Sequence, residues 1–104
     1  MGRPEVDPVP LLIEQLSDRD PRRRALAADA LGQSGAAAER AAAPLQRALA
    51  DPDSRVRASA ALALGGIGRL GPGAVYALRQ ALQDKSEDVR MSARTALSRL
   101  KLGR

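Results

Sequence analysis

Asp18, Asp51 and Asp84 stand 33 residues apart, and so do Arg24, Arg57 and Arg90. These are the residues in the chain whose type and spacing best suit chemistry. Opposite charges that recur with each unit can pair and hold neighbouring units together, or they can touch a ligand. Each Arg falls in the first turn of a helix, where the macrodipole disfavours a cation by about 0.3–1 kcal/mol when exposed. An Asp from the same or an adjacent unit offsets that cost. Asp18, Arg24, Asp51, Arg57, Asp84 and Arg90 are therefore assigned to a structural ladder that fixes how the units stack. Because Asp51 lies in the central unit, its loss is expected to cost more than that of Asp84.

Other apparent motifs fail on context. Gly66, Gly68 and Gly71 spell G-x-G-x-x-G, but an Ala-rich helix precedes them where a dinucleotide site needs a strand. Asp51 and Asp53 imitate the start of a calcium loop, yet Val56 occupies the sixth place and Leu62 the twelfth. His and Cys are absent, so disulfides and thiolate metal sites are excluded, and no nucleophile–base pair stands at a recognisable spacing. The expectation is no catalytic residue, no metal and no cofactor. A formal charge of +5 and the run Arg22, Arg23, Arg24 would suit phosphates. Against nucleic acid stands the lack of stacking platforms, since Tyr76 is the sole aromatic residue. Arg23 also shares its column with Val56 and Val89, which reads as the polar outer edge of a terminal unit.

The elements that position these residues repeat on the same step. Leu16, Leu49, Leu82; Ala27, Ala60, Ala93; Ala30, Ala63, Ala96; and Leu31, Leu64, Leu97 all recur at 33 residues. This is the signature of a stack in which each unit buries its apolar face against its neighbours. Residues 7–17 read as a first helix, A, capped by Asp7 with Pro8 at its first position and Val9, Leu12 and Leu16 on one face. Asp20, Asp53 and Ser86 are N-caps for the second helix, B, which in the first unit runs over about residues 21–34 with Ala27, Ala30 and Leu31 inward. Gly35 and Gly68 are left-handed stops, a place that Lys101 takes in the third unit. Pro44 falls early in its helix A and bends or delays it. The organisation predicted is a tail, residues 1–6, and units at 7–38, 39–72 and 73–102.

The strings VPLLIEQLSDRDPRRRALAADALGQSG, APLQRALADPDSRVRASAALALGGIG and VYALRQALQDKSEDVRMSARTALSRL resemble HEAT-like repeats of the phycobilisome-lyase type. The resemblance covers residues 9–100. It implies an all-α fold, an α-solenoid of three helix pairs (about six helices) in a right-handed superhelical stack. A helices would lie on the convex side and B helices on the concave side. Such proteins mostly act as protein-binding scaffolds; some are partners of bilin attachment enzymes, and distant relatives are DNA-base glycosylases.

If Ala27, Ala30 and Leu31 face the core, the opposite side of the B helices carries Arg22, Ala25 and Asp29, then Arg55, Ala58 and Leu62, then Asp88, Met91 and Thr95, continued by Gly32, Gln33 and Gly65. A small apolar centre with a charged rim suits a protein partner. The reading is a non-enzymatic scaffold or adaptor that binds another protein, with a basic nucleic-acid-binding module or a non-catalytic subunit of a bilin-lyase-like complex as alternatives. Ile13, Leu26 and Leu102 are apolar at the open ends of the stack and suit self-association, while Tyr76 projects outward. No run approaches a membrane span or a signal peptide, so a cytoplasmic location is expected.

Overall fold

The computed structural model describes residues 6–100. Among them are six α-helices, one 3₁₀ helix and no strand: α1 (Val9–Gln15), α2 (Pro21–Gln33), a 3₁₀ helix (Gly35–Ala41), α3 (Ala42–Ala48), α4 (Ser54–Ile67), α5 (Pro72–Ala81) and α6 (Glu87–Leu100). The helices pair α1–α2, α3–α4 and α5–α6, and the most extensive packing is of α2 on α4 and α4 on α6. This is an all-α solenoid of three helix pairs, one B helix beside the next. Its extents of 49 × 36 × 18 Å match two layers of helices, each about 10 Å thick.

Local sequence explains the boundaries. Asp7 accepts the N–H of Val9 and pairs with Arg40 of the 3₁₀ helix, while Pro8 already has helical backbone angles. Asp20 and Asp53 cap α2 and α4 by accepting the N–H groups of Arg22 (2.9 Å) and Arg55 (2.8 Å). Gly35 and Gly68 have φ of +58° and +84°, the left-handed region that glycine enters freely. Pro44 is preceded by the 3₁₀ helix, which is kinked at Ala38, so α3 is late and short beside α5. Gly66 lies inside α4, and only Gly68 ends that helix.

The core is built from small aliphatic residues: Leu31, Leu45, Leu64 and Leu78 are fully buried among alanines. Thin side chains bring the B helices into backbone contact. A Cβ on Gly32 would stand 2.7 Å from the Cα of Ala63, closer than real atoms approach, so this position admits only glycine at the observed spacing. Ala28 and Ala61 are fully buried between B helices, a face that the inward set Ala27, Ala30 and Leu31 did not include.

Stacking direction separates equivalent positions. Val56 and Val89 are covered by the preceding unit, whereas Arg23 in the same column is exposed, as is Leu26; Ala30 is half-exposed although Ala63 and Ala96 are buried. Ile13 does not lie at an open end. It is half-buried against the core and lines the crevice between α1 and α3, because its column faces the following unit. The apolar residue of α1 that stands exposed is Leu11, at 57%. Leu102 lies outside the described residues.

Candidate functional site

Two rungs of the ladder form, each joining consecutive units. Arg24 donates from Nε and Nη2 to Asp51 at 2.9 and 3.0 Å, and Arg57 donates from the same atoms to Asp84 at 3.0 and 3.1 Å. The third nitrogen, Nη1, turns back to the unit's own turn. It donates to the carbonyls of Asp18 and Arg19 from Arg24, to those of Asp51 and Pro52 from Arg57, and to that of Asp84 from Arg90 at 2.7 Å. Each Asp also accepts the N–H two residues on: Asp20 on Asp18, Asp53 on Asp51, Ser86 on Asp84. Burial pushes the Asp84 carboxyl up, but the Arg57 hydrogen bonds and the Ser86 N–H outweigh it and hold the group below the usual carboxylate range.

The end members differ. Among the described residues, Asp18 has only Arg23 within ion-pair range, at 3.9 Å and solvent-exposed, and Arg90 has no carboxylate partner. Asp84 is gripped by the same bidentate geometry as Asp51, so the expected ranking of Asp51 above Asp84 is replaced by one in which these two are alike and Asp18 stands apart. The reason is directional: Arg24 and Arg57 reach forward to the next unit, so among the described residues the first Asp, not the last, lacks a bidentate guanidinium partner.

On the B-helix side, a groove of about 440 Å³ runs between α4 and α6 and is lined by Arg55, Ala58, Leu62, Asp88, Met91 and Thr95. Leu62 is 38% exposed and Met91 50%. A second groove of about 560 Å³ continues it past Asp29, Gly32, Gln33, Leu62 and Gly65 to Arg99. Arg22 and Ala25 line neither groove; Arg22 folds back on Asp20. Arg55 does the same with Asp53, at 2.8 Å from Nη2, which holds its charge at the rim and depresses the Asp53 carboxyl to about 2.

Ser54, Ser59 and Ser92 were missed as groove-lining residues. Ser59 and Ser92 share a column on the 33-residue step with Leu26, so their polarity was visible, but that this side of the helix borders the groove was not. Tyr76 is exposed at 65% on the A-helix side, beside Leu70, Pro72 and Arg79. Among the described residues there is no cluster of potential metal ligands and no helix long and apolar enough to cross a membrane.

Comparison with known families accords with this geometry. No curated protein matches the chain. The family described as HEAT repeats matches residues 9–98, and repeats of this kind are in general non-catalytic scaffolds for protein interaction. Three A–B helix pairs, a forward-reaching Arg–Asp ladder and that match over nearly the whole length make this chain a member of the HEAT repeats family.

Proposed function

We propose that the protein is a non-enzymatic scaffold that binds another protein through the groove between α4 and α6. One observation carries the reading: Leu62 and Met91 both line that groove while remaining substantially exposed, so the fold's own core does not use them. Around them stand Ala58 and the serines, with Arg55 and Asp88 as charged rims of opposite sign. An apolar centre inside a polar border is the layout of a protein interface, and the flexible Met side chain adapts to an incoming surface.

The test begins with partners retained by the immobilised chain from a nuclease-treated extract. A recovered partner is then expressed, and its affinity measured for the wild type, Leu62→Glu and Met91→Glu. An unpaired charge buried at the centre of an interface should weaken binding by about a hundredfold. Normal binding by two folded variants would remove the groove from consideration. Tight, steeply salt-dependent binding of duplex DNA, flattened by neutralising the exposed Arg22 and Arg23, would favour the nucleic-acid reading instead.

A further inference from the structure

The guanidinium of Arg90 is held as those of Arg24 and Arg57 are held, yet no carboxylate among the described residues meets the edge that grips an aspartate in the other two units. In all three, Nη1 is pinned to the carbonyl of the unit's own turn aspartate, at 2.8, 2.8 and 2.7 Å. That bond orients Nε and Nη2 toward the following unit, where Arg24 finds Asp51 and Arg57 finds Asp84. Arg90 finds no carboxylate there among the described residues. The fork is half-buried and oriented before any ligand arrives, which reduces the ordering cost of binding.

We propose that this open fork, on the face of α5 and α6 turned away from the first two units, is a docking site for an aspartate-led turn in an acidic segment of a partner protein. The molecule supplies the template twice. In both filled forks the ligand is an Asp that takes two guanidinium hydrogen bonds and also accepts the N–H two residues on, so the recognised shape is a tight turn. Arg79 and Arg94 occupy, by the 33-residue step, the positions of Gln46 and Ala61 on the same side of the preceding unit. Counting Glu87 and Asp88 of the first turn of α6 against Arg79, Arg90 and Arg94 leaves this face positive. Charge complementarity therefore selects an acidic segment.

The same face refuses a second copy packed as the internal units are. Ser98 stands where Gly32 and Gly65 allow backbone contact, and its Cβ would collide with the next B helix. Arg94 stands where Ala28 and Ala61 are fully buried. A turn or extended peptide reaches the fork without that helix contact. This site is separate from the α4–α6 groove, so the two can fail independently.

The probe is a capped peptide copying residues 48–54, Ala-Leu-Ala-Asp-Pro-Asp-Ser, the turn that Arg24 holds. It is titrated into the full chain while the Arg Nε–H resonances are followed by NMR. The Arg90 signal should shift saturably, and a peptide with Asn in place of Asp51 should bind at least about tenfold more weakly. Arg90→Lys keeps the charge but not the fork and should also lose about tenfold; the double variant Arg79→Ser, Arg94→Ser, at two exposed positions, should lose about threefold, and Leu62→Glu nothing. An unmoved Arg90 signal at millimolar peptide, or equal binding of the Asn peptide, overturns the proposal. So does displacement of the peptide by inorganic phosphate or a duplex oligonucleotide at lower concentration. Self-association in sedimentation that disappears in Asp18→Asn would assign the fork to a second copy and overturn it too.

Discussion

A Cβ built on Gly65 lies 2.7 Å from the Cα of Ala96, so helices α4 and α6 meet backbone to backbone with no room for a methyl group. The contact repeats the one between Gly32 and Ala63 and sets the spacing of the whole stack. Gly65→Ala should gain about 1 kcal/mol of helix propensity and lose more to overpacking, a net destabilisation of about 1–2 kcal/mol. Gly73→Ala is the opposite control. Its new Cβ would meet only the Gln46 side chain at 3.5 Å, and stability should hold or rise. Urea denaturation of both variants checks the pair of signs.

Removing a gripped aspartate strands a nearly buried guanidinium. Asp84→Ala and Asp51→Ala should each lower Tm by an amount on the order of 10 °C, whereas Asp18→Ala should change it by only about 2 °C. Melting curves of the three variants, with no partner present, separate a forward-reaching ladder from one that depends on being central. A large drop for Asp18 alone would reverse the direction read from Arg24 and Arg57.

Acid should act through the caps. The hydrogen bonds from the Arg55 side chain and N–H lower the Asp53 carboxyl from the usual 3.8 to about 2. A depressed carboxyl contributes stability that is fully present above its unfolded value and is lost as pH falls through its folded value. Tm should therefore fall between about pH 4 and pH 2, and part of that slope should vanish in Asp53→Asn, which keeps a capping oxygen but not the charge. An unchanged slope in the variant would assign the acid limb to other carboxylates, such as Asp84.

Leu62 and Met91 make the functional prediction. Both lie outside the buried core, so Leu62→Glu and Met91→Glu should melt within about 3 °C of the wild type. A larger drop would mean that the groove side chains hold α4 to α6 and are not free for a partner. Circular dichroism melts run beside the binding assay distinguish the two.

What the sequence determined by itself was everything written within one unit and repeated: the 33-residue step, the A–B helix pairs, the Asp20 and Asp53 caps, the Gly35 and Gly68 stops and the apolar columns. These features depend on contacts a few residues apart, and three copies of the same pattern reinforce one another. Tertiary structure decided what depends on the neighbour. Helical periodicity places Ile13 or Arg94 on a face, but which unit covers that face follows from the direction of stacking. Thus Ile13 is half-buried and Leu11 exposed, Arg24 pairs with Asp51 across 27 residues instead of within its own turn, and columns identical in pattern end as Val56 buried and Arg23 in solvent. The open fork of Arg90 is the same effect at the other end: its residue type was legible in the repeat, while its unfilled edge exists only because no aspartate among the described residues follows it in space.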